Sequence, residues 1–212
     1  MTSEILRYMQ MPYHEASDEF KEQVASVYKE IEDICKPKVI CEKYVISLTD
    51  NGVYLTDMDF EVTGNDLRKI MASCKSMYIL MATLGTQADT FIRRSQTMAI
   101  SDGLIANACA NVLIESVCDM AEEGIDEEYL TMRYSPGYGD VSLDVQEPLI
   151  RMLSATKRIG LSTSRSGMLI PTKSVTAFIG VSNHKENRMR SCSSCGMNEI
   201  CKYRKRGDRC GT

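Results

Sequence analysis

The stretch that decides the fold is Val39-Ile-Cys-Glu-Lys-Tyr-Val-Ile-Ser-Leu-Thr-Asp-Asn-Gly-Val-Tyr-Leu-Thr56. β-branched and aromatic residues fill Val39–Leu48 and Val53–Thr56, and Asp50-Asn51-Gly52 lies between them. That triplet is a good hairpin signal, so this reads as an antiparallel hairpin. A continuous apolar run, Ser76–Leu84, follows as another strand. Gly167–Pro171 and Ser174–Ser182 read as two more, the second alternating Val175, Ala177, Ile179 and Val181 on one face.

Helices separate these strands. Phe20, Val24, Val27, Ile31 and Ile34 recur at alternating +4 and +3 steps, predicting a helix over 18–35 with Ser17 as its cap and Pro37 beyond its end. Shorter helices are expected over 65–73, 87–95 and 147–156, and a long one over 101–123. The fold class is therefore α+β, a largely antiparallel sheet flanked by helices. Residues 1–183 form this body, and 184–212 form a basic, cysteine-rich tail.

The 101–123 helix carries two stripes. Ile105, Ala108, Cys109, Val112, Ser116, Val117 and Met120 make an apolar face. Asn107, Asn111, Glu115 and Asp119 recur every four residues beside it. Asparagine is a poor helix former and is rarely chosen for a purely solvated face. The second stripe is therefore expected to be partly buried and to look into a cleft.

The 212 residues, two of them histidine and nine cysteine, carry a net charge of −4. The start is not a signal peptide, and the longest strongly apolar run, Met77–Leu84, is too short to span a membrane. The expectation is a cytoplasmic, reduced protein without a membrane, in which clustered thiols serve metal or redox chemistry. Scarce histidine argues against histidine-based catalysis. From His184 onward there are eight Lys/Arg against three Asp/Glu, a net of +5 on a body of −9. Nucleic acid is not an expected partner, because the body is acidic and the tail lacks interleaved aromatics. A non-catalytic, metal-stabilised protein whose basic tail contacts nucleic acid or an acidic partner is the alternative reading.

Cys192, Cys195, Cys201 and Cys210 form C-x2-C-x5-C-x8-C. Four thiolates in nineteen residues could hold zinc or an iron–sulfur cluster, or Cys192 and Cys195 could act as a redox dithiol. Cys35, Cys41, Cys74, Cys109 and Cys118 fall in expected core elements and read as small buried hydrophobes.

Arg133-Tyr-Ser-Pro-Gly-Tyr-Gly-Asp140 contains Arg-x-x-x-Gly-Tyr: a planar cation, a turn that brings main chain close to a ligand, and two aromatic faces. This segment resembles the signature of the activation domain of cobalamin-dependent methionine synthase. Ile159-Gly-Leu-Ser-Thr-Ser-Arg-Ser-Gly-Met-Leu-Ile-Pro171 and the following Thr-Lys-Ser-Val-Thr-Ala177 are similar to a second family block at matching spacing. The resemblance spans roughly 100–180, and Glu4-Ile-Leu-Arg-Tyr8 is similar to free-standing members. It implies a binding site for S-adenosylmethionine. Arg133 would pair with the ligand carboxylate, Glu115 would lie near its ammonium, the main chain of Ser135 and Gly137 would reach the adenine, and Tyr138 would pack nearby. It also implies a detached activation subunit supporting reductive remethylation of cob(II)alamin on a partner, a methionine synthase or related corrinoid protein, with an electron donor. Gly139-Asp-Val-Ser-Leu143 departs from the family, which continues with Pro and a His/Lys-bearing segment, and the family tyrosine beyond the last strand has no counterpart in 183–190.

Overall fold

The computed structural model describes residues 1–185. Thr2–Tyr8 (α1) and Asp18–Ile34 (α2) precede the strands Lys38–Leu48 (β1), Gly52–Leu55 (β2) and Phe60–Thr63 (β3). Asn65–Ile70 (α3), Cys74–Thr83 (β4), Thr86–Met98 (α4) and Ile100–Glu123 (α5) follow. Then come Gln146–Met152 (α6), Ala155–Ile159 (α7), Ser162–Thr163 (β5), Leu169–Ile170 (β6) and Ser174–Ser182 (β7). Five strands form an antiparallel sheet in the order β3-β2-β1-β4-β7, and β5 pairs with β6 in a small ribbon. The expected hairpin joins β1 to β2, with Leu48 opposite Val53.

β4 lies inside the sheet, paired with β1 on one side and β7 on the other. Its side chains alternate between two cores, which explains its unbroken apolar character. Leu80 and Ala82, with Ala177 and Ile179 of β7, meet α1, α2, α4 and α5. Met77, Ile79 and Met81, with Phe178, meet residues of β2, β3, α3, α6 and α7. Ser17 caps α2 by accepting the Phe20 N–H at 3.2 Å. Val24, Tyr28 and Ile31 bury the inner face of α2, while Ile34 is left exposed at its end.

Several expectations need correction. α1 and β3 were not foreseen. α1 nevertheless buries Ile5 and Leu6 completely, worth about 1.5–3 kcal/mol each. The helix expected over 147–156 is two short ones, because Ser154 takes a left-handed conformation at φ 52° and breaks it. By length and composition alone α5 would suffice to cross a membrane. Its apolar face instead packs in the core, from Ile105 through Cys109 and Val112 to Cys118. Of the core cysteines, Cys35, Cys74, Cys109 and Cys118 are buried and Cys41 is half-buried.

After α5 the chain turns back along the outer edge of β7. Ser182 N–H bonds Tyr129 C=O at 2.9 Å, and Thr131 N–H bonds Gly180 C=O at 2.9 Å. Tyr134 and Phe178 exchange both main-chain bonds, at 3.0 and 2.8 Å. Residues 129–134 thus extend the sheet irregularly and deliver Arg133 beside α5.

Candidate functional site

The polar stripe of α5 is where the loops converge. The Arg133 guanidinium, only 12% exposed, reaches three carboxylates of that helix: Glu115 at 3.1 Å, Asp119 at 2.7 Å and Glu122 at 3.3 Å. These side chains sit one turn apart on one face, so one planar cation can bridge them. The cluster holds three formal negative charges against one positive charge. Glu115 remains 40% exposed, and Asp119 is more open still.

Further toward the helix start, the Lys173 ammonium donates to Asn107 Oδ1 at 2.7 Å and Asn111 Oδ1 at 2.6 Å. Lys173 enters from the residue before β7. Burial pulls its ammonium below the usual lysine range, with Asp89 opposing the shift. Asp89 is itself engaged by the Thr172 N–H and hydroxyl. The stripe 107, 111, 115, 119 is therefore partly buried, and a basic residue meets each half of it. The pattern was legible in the sequence; its second cation, Lys173, was not singled out.

The Arg-x-x-x-Gly-Tyr segment makes a compact turn. Gly137 N–H bonds Val141 C=O at 2.8 Å, and Tyr138 N–H bonds Ser135 C=O at 3.2 Å. Gly137 has φ +89°, and a Cβ there would stand 2.9 Å from Leu143 Cδ2. Gly139, at φ +53°, admits the Tyr134 hydroxyl and the Asp66 carboxylate against its α-carbon. Tyr134 donates its hydroxyl to Tyr138 C=O at 2.9 Å, while the Tyr138 side chain is 68% exposed. The structure thus joins Arg133 directly to Glu115. It sets Ser135, Gly137 and Tyr138 on the adjoining turn, with no hydrogen bond to that pair among the described residues.

Asp140 closes the turn onto α3, accepting the Asn65 N–H at 2.7 Å and the Asp66 N–H at 3.1 Å. It supplies from a distance the cap that Gly64 cannot. Those main-chain bonds hold its carboxyl below the usual aspartate range.

Two buried oxygens, Gln146 Oε1 and Thr176 Oγ1, have no hydrogen-bond partner among the described residues. Gln146 Nε2 is spent on Gly167 C=O at 2.9 Å. Among the described residues no group of three or more His, Cys, Asp or Glu is arranged to hold a metal ion. Cys192, Cys195, Cys201 and Cys210 lie outside the described residues.

A model of the family described as vitamin B12 dependent methionine synthase, activation domain, matches residues 99–208, more than half of the chain. The chain belongs to that family. The match begins just before α5, so it contains both halves of the polar stripe and the loops that supply Arg133 and Lys173. No curated protein matches the chain. Among solved structures, the MetH reactivation domain bound to AdoHcy is similar in fold, with a TM-score of 0.59. The likeness covers 80% of this chain and 69% of that one, at 12% sequence identity.

Proposed function

We propose that this activation domain binds S-adenosylmethionine between the polar face of α5 and the turn 133–139, and supports reductive remethylation of cob(II)alamin carried by a corrinoid partner such as methionine synthase. The observation that carries this reading is the meeting of Arg133, from the family motif, with Glu115 at 3.1 Å on a helix stripe of matched polarity. A ligand with a cationic sulfonium and an ammonium suits a cluster with surplus negative charge. The AdoHcy held by the structural neighbour supports the same ligand class.

The division of labour follows from the residues. The carboxylates of Glu115 and Asp119 draw in the positive end of the ligand, and Arg133 keeps them from repelling one another. The turn at Gly137 brings main chain close enough for hydrogen bonds to an adenine edge, with the exposed Tyr138 ring available to cover it. Cobalamin on the partner supplies the bond-making chemistry, accepting a methyl group together with one electron. The tail cysteines 192, 195, 201 and 210 are assigned to a metal, an iron–sulfur cluster that relays that electron or a zinc ion that orders the tail.

Calorimetric titration of S-adenosylmethionine into the wild type and Arg133→Ala tests the reading. Saturable wild-type binding that the substitution weakens is expected. Absence of wild-type binding would remove the ligand, and equal affinity in both would remove Arg133 from the site.

A further inference from the structure

The two halves of the α5 stripe have opposite electrical character. Around Arg133, one cation faces Glu115, Asp119 and Glu122. Around Lys173 the only hydrogen-bond partners, among the described residues, are two neutral amides. A lysine ammonium has donors only, so both asparagines must turn Oδ1 toward it. That fixes their Nδ2 groups facing away, and neither has a protein acceptor among the described residues. The third ammonium N–H is likewise unclaimed. The result is a half-buried cluster of N–H donors around one ammonium, with no carboxylate within ion-pair distance and Asp89 acting on it from further away. Such a donor set is complementary to an oxyanion.

The neighbourhood selects which one. Asn111 and Glu115 are one helical turn apart, about 6 Å along the axis. A phosphate seated at Lys173 would face the surplus negative charge of the next turn. An α-amino acid would not, since its carboxylate can meet Lys173 while its ammonium meets Glu115.

We propose that Lys173, oriented by Asn107 and Asn111, anchors the carboxylate of the ligand's amino-acid end. This rests on the S-adenosylmethionine reading and reassigns one contact within it. The family resemblance gives that carboxylate to Arg133. Here the two terminal nitrogens of Arg133 already face three carboxylates, so a fourth would enter a cluster that carries surplus negative charge. Arg133 is then a positioning residue that holds Glu115 in place for the ammonium.

The test compares S-adenosylmethionine with its decarboxylated analogue, which keeps the ammonium and sulfonium but lacks the carboxylate. Calorimetry on the wild type should show the intact ligand binding more tightly. Lys173→Gln should reduce affinity for the intact ligand by about tenfold or more and leave the analogue unchanged. Asn111→Asp keeps an acceptor on Lys173 while cancelling its charge, and should produce the same selective loss in a chain with its packing preserved. Arg133→Gln should weaken both ligands alike. A carboxylate-specific loss in Arg133→Gln, or equal losses for both ligands in Lys173→Gln and Asn111→Asp, overturns the assignment while leaving the binding reading intact. No saturable binding of either ligand to wild type overturns the binding reading itself, and this assignment with it.

Discussion

Asp140 caps a helix 75 residues away in the chain, accepting the Asn65 N–H at 2.7 Å. The end of the turn that begins at Arg133 is thereby tied to α3, on the opposite side of the sheet from α5. Asp140→Ala should leave two helix N–H groups unpaired and loosen the turn. The expected result is a lower melting temperature with faster amide exchange at Asn65 and Asp66. An unchanged exchange pattern would mean that water replaces the carboxylate at no cost.

The same carboxylate sets a pH dependence. Its folded-state pKa is depressed, so the stabilisation is present above the unfolded value near 3.8 and fades as pH falls through the lower folded value. Wild type and Asp140→Asn should therefore differ most in stability above about pH 4 and converge in stronger acid. Urea titrations at several pH values check this, and a difference that grows toward acid contradicts it.

Arg133→Gln removes the cation shared by three carboxylates, leaving like charges one turn apart on a partly buried face. The loss is expected to be about 1–3 kcal/mol, below that of a fully buried pair because Glu115 and Asp119 are open to solvent. Added salt should recover part of it by screening. Denaturant unfolding at low and high salt measures both quantities.

At Gly137 the backbone stands at φ +89° with Leu143 immediately beside it. Gly137→Ala should cost about 1–3 kcal/mol from backbone strain and contact with Leu143. It should also weaken S-adenosylmethionine binding, because the turn must shift. Retained stability and affinity would show that the turn adapts to a side chain.

Burial pushes the Cys109 and Cys118 thiols up to about 12 and Cys35 up to about 11. Thiols with so little thiolate react slowly at neutral pH. Iodoacetamide labelling of these three, followed by mass spectrometry, should track denaturant-induced opening. Rapid labelling in native buffer would contradict their burial.

Most of the sheet was legible because its signals are local. Asp50-Asn51-Gly52 marks the turn between β1 and β2, and the apolar run 76–84 marks β4. α1 escaped because seven residues give too little periodicity, and its burial depends on contacts with α5 and α2. The break at Ser154 escaped because serine carries no strong preference for left-handed backbone. For the candidate site, the spacing of Asn107, Asn111, Glu115 and Asp119 marked a partly buried polar face, and the family motif pointed to Arg133. Which cation meets which pair depends on how residues 129–134 and 172–174 return to α5, a tertiary fact with no local signature. Lys173 looks like any surface lysine until β7 is placed beside the helix.

The bonding of residues 129–134 along β7 also bears on solubility. An antiparallel sheet with a long bare border invites another molecule to continue it. Here one border is closed over much of its length by the segment that carries Arg133, and the other ends in β3, only four residues long. A change that peels this segment from β7 would uncover main chain able to pair with a second copy. Self-association is then the expected sign of damage to the segment 129–134.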